Sequence, residues 1–441
     1  MLNAIDDFVK KLLEKTQEKD IQVISHNDTD GITSAAIFSR TLERLDKSFS
    51  IKIVKQLEKE IIENLPANKV LIFLDLASNS FEHLQKLETD IFIIDHHEII
   101  EKIPEKINII NPHIYKGYSG EEVSAAGLTY LIAKKINAKN KDLANLAVLG
   151  MIGDMLDKNL SKINKTILDD AKTKIKKGLL LYPATRPLNK TLEYSSGIFI
   201  PGVTGSYRGS IKLLRDIGIE KINNQYKSLL ELNDEEMSKL ITAILLKISN
   251  PEEKTHLIGN LYLIKFFNKL WDARELSAMI NACSRNGESG IAISLCLGNK
   301  NCQERARIIH TKHKQHLIKA LNLIPKIEKQ EGREYVIINA KDQIKDTIIG
   351  TIASILSKSK NYKEGKIIVT MAYSKEKIKV SARSVGSNGR NVREVLNTVI
   401  ESVGGEVGGH AFAAGCLIHK EKENEFIDTL KKNLEIELVK I

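Results

Sequence analysis

The chain has 441 residues, a length that predicts about two to four domains. Apolar residues make up 42% of it and charged residues 28%, a balance that is typical of folded globular proteins and excludes a disordered chain. No apolar run approaches the roughly 18 residues that cross a bilayer, and the cysteines form no CxxC pair. We therefore expect a cytoplasmic protein without a membrane partner or a zinc site built from cysteines.

The chain is basic, with a net charge of +10 and an isoelectric point near 9.1. An excess of cations attracts polyanions, so this charge favours a nucleic acid or another phosphate-bearing partner. The signal is weak, because the excess is small for 441 residues. Aromatic residues make up only 5%, which argues against a surface built from base-stacking side chains.

The N-terminal part of the chain alternates between helical and strand patterns. An amphipathic helix comes first, with Ile5, Phe8 and Leu12 on its apolar stripe. Short apolar runs then predict strands at 21–25, 50–55, 69–74, 90–94 and 107–110. Buried helices are predicted at 124–136 and 142–153. Nearly continuous apolar strands with helices between them indicate a parallel sheet covered on both faces.

The rest of the chain predicts a mainly helical middle region and a second, smaller α/β unit. The second unit begins with a strand pattern near residue 334 and closes with a helix, a glycine-rich loop and a last helix. We therefore predict a two-lobed α/β protein with domains at 1–195, 196–330 and 331–441. The insert at 196–265 carries no chemistry that we can identify.

Acidic residues and histidines follow the predicted strands at the points where the strands end. The first strand runs into His26, Asp28 and Asp30, and the third runs into Asp75. The fourth runs into the triplet 95–97, which is Asp-His-His, and the second buried helix runs into Asp154. Because the carboxyl ends of parallel strands share one edge of a sheet, these clusters are expected to converge.

Converging carboxylates repel one another unless a cation offsets their charge. Oxygen and nitrogen donors together suit two divalent ions, with Mn²⁺ favoured and Mg²⁺, Co²⁺ or Zn²⁺ as alternatives. Two such ions can lower the pKa of a water and polarise a phosphoryl oxygen, which predicts metal-assisted phosphoester hydrolysis. Taken singly, Asp75 or Asp154 is more often a helix cap or a turn residue. Several clusters at equivalent positions are hard to explain in that way.

The motifs also carry a family resemblance. In this order they resemble the four motifs of the DHH phosphoesterase superfamily: SHNDTDG, LDLA, DHH and GMIGD. The segment GGEVGGHAFAAG resembles the glycine-rich signature of the DHHA1 partner domain. With RELSAMINACSRNG between them, the chain is similar to RecJ-type single-strand nucleases, especially their archaeal branch.

The resemblance implies a role for each matching position. The implied metal ligands are Asp28, Asp30, Asp75, His96 and Asp154. Asp75 would bridge two ions, His97 would sit beside the scissile phosphate, and Asp95 would orient an imidazole, so these three form the implied catalytic set. His26 lies two residues before Asp28 instead of the four found in small-substrate members of the superfamily. Its ligation of the metal therefore stays open.

A second set of residues is expected to bind the substrate. Glycines 408 and 409 permit positive φ and a close approach of backbone amides to an anion, and His410 and Arg383 would add donors to a phosphate. The competing interpretation is a tight turn with a buried histidine. Asn281 and Arg285 match positions near the substrate groove of RecJ-like proteins, although a structural ion pair explains Arg285 equally well.

The leading functional hypothesis is a metal-dependent, single-strand-specific exonuclease that acts on DNA or RNA, in DNA repair or replication. One alternative is a small-substrate phosphodiesterase that acts on oligoribonucleotides or cyclic dinucleotides. The other is a non-catalytic replication scaffold of the same fold. A replication or RNA-processing protein is an expected partner. Either polarity of degradation, and either sugar, is compatible with these residues.

Overall fold

The computed structural model describes residues 2–181, 183–195, 200–248, 257–359, 362–386 and 388–435, apart from the side chains of Leu2, Glu406 and His410. The chain divides into two compact units. Unit 1 comprises Met1–Thr185 and Gly259–His310, and unit 2 comprises Arg186–Ile258 and Thr311–Ile441. The region predicted at 196–330 therefore contributes to both units, and the three predicted domain boundaries stay a prediction.

The helices and strands follow one another in chain order. Unit 1 begins with α1 (Leu2–Lys15), β1 (Ile21–His26), α2 (Thr29–Arg44), β2 (Phe49–Val54), α3 (Lys59–Glu63), β3 (Val70–Leu74), α4 (Phe81–Leu84), β4 (Ile91–Ile94), β5 (Ile107–Ile110), α5 (Ala125–Ile136), α6 (Ala144–Gly153), α7 (Lys162–Asp170) and β6 (Lys174–Leu179). Unit 2 then supplies α8 (Leu188–Glu193), α9 (Tyr207–Asp216), β7 (Lys221–Ile222), β8 (Gln225–Tyr226) and α10 (Asp234–Lys247). The chain continues with β9 (Ile258–Phe266), β10 (Lys269–Asp272), α11 (Ala273–Arg285), α12 (Ser289–Cys296) and α13 (Lys300–Leu323). The remaining elements are β11 (Lys329–Glu331), β12 (Tyr335–Asn339), α14 (Asp346–Ser357), β13 (Ile367–Ser374), β14 (Lys377–Ser384), α15 (Val392–Val403), β15 (Glu406–His410), β16 (Ala413–His419) and α16 (Glu423–Glu435).

A five-stranded parallel sheet organises unit 1. Its strands lie in the order β2-β1-β3-β4-β5, and every neighbouring pair is parallel. Alternate residues of β3 pack on opposite faces, with Ile72 in one apolar cluster and Phe73 in another. Burial on both faces explains why β3 and β4 are continuously apolar. The predicted parallel sheet is confirmed.

A smaller sheet in unit 1 was not predicted. It has the order β10-β9-β6, and β9 and β10 are antiparallel. Phe267 and Asn268, with φ of 49° and 58°, form the two-residue connection between these strands. A connection with positive φ at both residues matches the right-handed twist of a hairpin. The region predicted as mainly helical therefore also contains strands.

A six-stranded mixed sheet organises the C-terminal part of unit 2, in the order β11-β12-β13-β14-β16-β15. Only β12 and β13 are parallel among its pairs. The segment predicted as a glycine-rich loop instead forms the antiparallel strands β15 and β16 at one edge of this sheet. Its glycines fit there because the backbones come too close for side chains. A Cβ on Gly409 (φ 122°) would lie 2.4 Å from the carbonyl oxygen of Ala413.

The helices agree with the predicted patterning. In α1 the predicted stripe is buried, with Ile5, Phe8 and Leu12 packed in the main apolar cluster of unit 1.

The longest helix, α13, contains many lysines and arginines. Among the residues that the structure describes, no helix combines the length and the hydropathy that a membrane span requires.

Candidate metal centre

The order of the parallel strands determines where the polar clusters meet. In the order β2-β1-β3-β4-β5 the direction of chain progression reverses between β1 and β3. Loops that leave the carboxyl ends of two such strands diverge, and the crevice between them is where open α/β sheets bind ligands. Asp28 lies just beyond β1 and Asp75 just beyond β3, so both are at this crevice.

The predicted ligands form three overlapping groups whose possible ligand atoms lie within 4.8 Å of one another. The groups are His26–Asp28–Asp75, Asp75–His96–His97 and Asp30–His96–Asp154. Asp75 belongs to two of the groups, and so does His96. The structure therefore brings together residues from four separate motifs, although their roles as ligands stay a prediction.

The loop after β1 is held by helix termini. Asp28 caps the N-terminus of α2, where one carboxylate oxygen accepts from the Gly31 amide at 3.0 Å and the other lies 3.0 Å from Nδ1 of His26. Asp30 is fully buried and accepts from the amides of Ala125 and Ala126 at 2.7 and 3.0 Å. These amides form the N-terminus of α5, whose dipole favours a negative charge. Both carboxylates are therefore fixed before a ligand binds.

Asp75 occupies the middle of the cluster. Its side chain is buried, and its carboxylate lies 3.2 Å from Nδ1 of His26 and 3.6 Å from Nε2 of His96. Its backbone is left-handed, with φ of 60°, a conformation that aspartate and asparagine tolerate better than most residues. Ala77, two residues later, has φ of 87°. Backbone strain of this kind often accompanies functional sites.

Hydrogen bonds orient the rings of His96 and His97. Nδ1 of His97 lies 2.7 Å from the Asp95 carboxylate, and Nδ1 of His96 lies 3.0 Å from the carbonyl oxygen of Gly120. Both partners accept, so both Nδ1 atoms donate. Nε2 of His96 then faces the carboxylates of Asp75 and Asp154. Burial alone would raise the pKa of Asp95, but the neighbouring His97 outweighs burial and holds this pKa well below its usual value.

Asp154 follows α6 and completes the third group. Its buried Oδ2 atom accepts no hydrogen bond within the described structure and lies 3.3 Å from Nε2 of His96. A buried carboxylate oxygen without a hydrogen bond is costly unless a cation compensates it. Burial, and then the neighbouring Asp30 carboxylate, raise the pKa of Asp154 well above its usual value.

The electrostatics of the whole cluster fit a divalent cation. Burial, and then the Asp75 carboxylate, raise the pKa of Asp30 to about 7. Burial lowers the pKa of His26, but the Asp28 carboxylate outweighs burial and raises this pKa well above its usual value. The carboxylates thus repel one another and draw protons to the site. Cations held by mixed oxygen and nitrogen donors would remove this repulsion, and Mn²⁺ suits such donors.

Close packing of α6 against α2 and α5 leads to a mutational prediction. A Cβ on Gly150 would lie 2.4 Å from Oδ1 of Asp30, 2.5 Å from the Ala126 Cβ and 2.9 Å from Oγ1 of Thr33. We expect Gly150→Ala to lower the free energy of unfolding by about 1–3 kcal/mol through overpacking. It should also weaken Mn²⁺ binding, because Asp30 must move. Denaturant unfolding and Mn²⁺ calorimetry measure the two effects.

A second helical glycine supplies the control for this substitution. Gly290 lies in α12, and a Cβ added there would meet nothing within 4 Å. Gly290→Ala should leave Mn²⁺ affinity unchanged and stabilise the chain by up to about 1 kcal/mol through helix propensity. Equal Mn²⁺ affinities for the two variants would contradict the expectation that displacement of Asp30 weakens metal binding.

Helix α11, which carries the predicted residues Asn281 and Arg285, packs beside the metal centre. Thr29, which lies between Asp28 and Asp30, donates through Oγ1 to the carbonyl oxygen of Ser277 at 3.0 Å. One turn further along the helix, Nε of Arg285 donates to Oδ1 of Asn281 at 2.9 Å. The two predicted side chains therefore contact each other, and their binding of substrate stays a prediction.

The predicted phosphate-binding residues of unit 2 lie on its six-stranded sheet. Arg383 in β14 donates through Nε to Oγ of Ser354 at 3.0 Å and through Nη1 to the carbonyl oxygen of Ala382 at 2.8 Å. Gly408 and Gly409 are residues of the edge strand β15. The role predicted for the His410 side chain falls outside the described residues. Phosphate binding by these residues stays a prediction.

Other residues that shape the centre were not identified from the sequence. They are Ser78, Asn111, His113, Gly120 and the helix N-terminus at Ala125 and Ala126. Asn111 and His113 could have been identified, because they follow β5 at the same sheet edge as the other clusters. The contacts of Gly120 with His96, and of α5 with Asp30, join residues that are far apart in the sequence. No local sequence pattern predicts them.

Comparisons with known proteins support the motif assignment. Three family models match the chain: the DHH family N-terminal domain over residues 20–151, the DHH-CID domain over 181–261 and the DHHA1 domain over 333–435. The DHH-CID match covers most of the 196–265 insert, where we identified no chemistry from the sequence. An uncharacterized protein from Methanocaldococcus jannaschii is 32% identical over 97% of this chain and 96% of its own length. A putative single-strand DNA-specific exonuclease from Bacillus subtilis is 30% identical over 44% of this chain and 35% of its own length.

Solved structures share the fold. An exonuclease RecJ bound to manganese aligns over 98% of this chain and 95% of its own, with a TM-score of 0.62 and 16% identity. CDC45 from Entamoeba histolytica aligns over 99% of both chains, with a TM-score of 0.70 and 16% identity. The family models and the relative from Methanocaldococcus jannaschii assign the chain to a family, and these structures agree in fold. The chain belongs to the DHH phosphoesterase superfamily and is a RecJ-like member that carries both DHH and DHHA1 domains.

Proposed function

We propose that this chain is a metal-dependent exonuclease that removes nucleotides from single-stranded DNA or RNA. The observation that carries the proposal is the convergence of the three overlapping ligand groups on Asp75 and His96. A cluster of four carboxylates and three imidazoles has no evident structural purpose, because its charges destabilise the chain when no cation is present. The relative named as a single-strand DNA-specific exonuclease supports the choice of substrate over the part of the chain that it matches.

The proposed metal ligands are Asp28, Asp30, Asp75, His96 and Asp154, with His26 close enough to join them. Bound divalent cations would supply Lewis acidity toward a phosphoryl oxygen and a lowered pKa for an attacking water, with Mn²⁺ favoured over Mg²⁺ and Co²⁺. The chain's own contribution is to hold these ligands in place. Helix termini fix Asp28 and Asp30, and the Gly120 carbonyl fixes His96.

His97 is proposed to contact the phosphate that reacts. Its Nδ1 atom is committed to Asp95, which is itself held by the amides of Ser78 and His96 at 3.1 and 2.8 Å. The other ring nitrogen, Nε2, is the atom proposed to donate to a phosphoryl oxygen. A histidine oriented by a carboxylate and backed by a rigid backbone loses little entropy when substrate binds. In this proposal Asp95 positions His97 and does not itself react.

Further residues are proposed to bind the nucleic acid away from the reacting phosphate. In unit 1 these are Asn281 and Arg285, on helix α11, which contacts the N-terminus of α2 through Ser277. In unit 2 they are Arg383, Gly408, Gly409 and His410. Contacts to several phosphates by a basic protein make binding sensitive to salt. The affinity for single strands should therefore fall steeply as the salt concentration rises.

A non-catalytic role is the second candidate. The specific observation that favours it is the likeness to a CDC45 over 99% of both chains. A scaffold of this fold would bind a replication or RNA-processing partner without cleaving nucleic acid. The ligand set weighs against it, because Asp75 and the other proposed ligands are all present and converge.

Cleavage of end-labelled strands in the presence of Mn²⁺ distinguishes these proposals. The substrates are single-stranded DNA and RNA of about 30 nucleotides, the matching duplexes, and oligomers of about three nucleotides. We expect stepwise shortening of the long single strands, prevented by EDTA, and little cleavage of duplex. Turnover of the short oligomers alone would replace the proposal with a small-substrate phosphodiesterase. Absence of metal-dependent cleavage from every substrate would leave the scaffold.

A further inference from the structure

The fifth strand of the parallel sheet ends in polar residues that the proposed function does not use. Strand β5 lies at the edge of the sheet beside β4, which leads into His96 and His97. The three residues directly after β5 are Asn111, Pro112 and His113. They lie at the carboxyl edge of the sheet, where the metal centre is located.

Asn111 anchors this segment to the loop that carries the histidine pair. It is fully buried, and its Nδ2 atom donates to the carbonyl oxygen of His97 at 2.8 Å and to Oγ of Ser78 at 2.9 Å. Its Oδ1 atom accepts from the backbone amide of His113 at 2.9 Å. A buried amide with both ends bonded has one orientation, so the backbone of His113 is fixed relative to His97.

The side chain of His113 reaches His96, the first histidine of the pair, through Gly120. The amide of Gly120 donates to Nε2 of His113 at 3.1 Å, and its carbonyl oxygen accepts from Nδ1 of His96 at 3.0 Å. The amide can only donate, so Nε2 of His113 must accept. His113 and Gly120 thus form a chain of two hydrogen bonds that ends at His96.

Gly120 is packed so closely that a side chain at this position would disturb these hydrogen bonds. A Cβ added to Gly120 would lie 2.3 Å from the carbonyl oxygen of His96 and 3.1 Å from Nε2 of His113. The Gly120 backbone is therefore packed against both histidines. A shift of the loop by a few tenths of an ångström would change the direction of the carbonyl that orients the His96 ring.

We propose that His113 is a positioning residue for His96. By holding the Gly120 peptide, it keeps the carbonyl oxygen aimed at Nδ1 of His96, so that Nε2 of His96 points toward Asp75 and Asp154. Among the described residues, the His113 side chain makes no hydrogen bond to a proposed ligand. The inference rests on the proposed metal centre, and it adds a residue that tunes the affinity of this centre.

Two substitutions at this exposed position separate hydrogen bonding from bulk. His113→Leu keeps a side chain of similar size but removes the acceptor, whereas His113→Gln places Oε1 near the position of Nε2. His419→Leu is the control, because His419 is also exposed but lies at the end of β16 in unit 2. Mn²⁺ affinity is measured by calorimetry on each purified full-length chain, and thermal unfolding without metal is measured in parallel.

We expect His113→Leu to weaken Mn²⁺ binding about tenfold, the lower end of the range for residues that orient metal ligands. His113→Gln should stay within about threefold of the parent, and His419→Leu should match the parent. Unfolding temperatures should agree within about 2 °C, because exposed substitutions change stability little. Restoration by glutamine is the result that a purely structural role would not produce.

Two results would overturn the inference while leaving the metal centre intact. One is an unchanged Mn²⁺ affinity in His113→Leu, and the other is an equal loss in His113→Gln and His113→Leu. If the parent chain bound no Mn²⁺, the proposed centre would fail and the role of His113 would fail with it. The parent titration therefore distinguishes failure of the inference from failure of the proposed function.

Discussion

Asp75→Asn is expected to lower the rate of Mn²⁺-dependent cleavage by at least about a thousandfold. Asp75 is shared by two of the three ligand groups, so removal of its charge weakens both. Asparagine keeps the shape of the side chain and tolerates the left-handed backbone at this position, where φ is 60°. The fold should therefore survive. The rate is measured on end-labelled single strands with saturating Mn²⁺.

The matched control is Asp46→Asn. Asp46 also has a left-handed backbone, with φ of 54°, but it is exposed beyond the end of α2 and belongs to no ligand group. Its substitution should leave the rate within about twofold of the parent, as for most exposed positions. Equal rates for Asp75→Asn and the parent would contradict any role of Asp75 in metal-dependent cleavage.

The stability of the metal-free chain is expected to fall as the pH rises from about 5 to about 7.5. The pKa of Asp30 is raised to about 7 by burial and then by the Asp75 carboxylate, and the pKa of Asp154 is raised in the same direction. A carboxyl whose folded pKa exceeds its unfolded value stabilises the fold while it is neutral, and that contribution is lost as it ionises. The lowered pKa values of Asp28 and Asp95 act only below about pH 4 and do not oppose the trend.

Asp30→Asn isolates this effect from the other titrating groups. The variant keeps an uncharged side chain at position 30 at every pH, so its unfolding temperature should fall less steeply than that of the parent. We expect the two slopes to differ by at least about 3 °C over this pH range. Parallel curves would contradict the repulsion attributed to Asp30.

Mn²⁺ should reverse the pH trend in the parent chain. A ligand at a hundred times its dissociation constant stabilises the folded state by about 2.7 kcal/mol, and deprotonated carboxylates bind it best. The rise in unfolding temperature caused by Mn²⁺ should therefore be larger at about pH 7.5 than at about pH 5. An equal rise at both values would indicate that the carboxylates of the cluster do not bind the ion.

Much of the N-terminal architecture was predictable because the parallel sheet is buried on both faces. Burial on two faces explains why β3 and β4 are wholly apolar, so polar residues at their ends stand out. Since parallel strands share a carboxyl edge, the sequence also predicted that Asp28, Asp75 and His96 would converge. The structure shows that they do.

The features that were missed depend on contacts between distant segments. Asp30 is bound by the backbone amides of Ala125 and Ala126. Backbone amides are present at almost every residue, so the sequence does not indicate which of them bind Asp30. The glycines of the C-terminal segment were predicted as a loop because glycine disfavours strands. In β15 a close approach of the neighbouring strand makes glycine necessary at Gly409. Neither contact follows from local periodicity.

Anomalous diffraction at the manganese edge, from crystals of the full chain soaked in Mn²⁺, would locate the bound ions. We expect two manganese peaks among the three ligand groups, both within coordinating distance of Asp75, about 2 to 2.5 Å. Crystals of Asp75→Asn grown under the same conditions should lose at least one of the peaks. Manganese bound elsewhere, or no peak near Asp75 in the parent chain, would contradict the proposed metal centre.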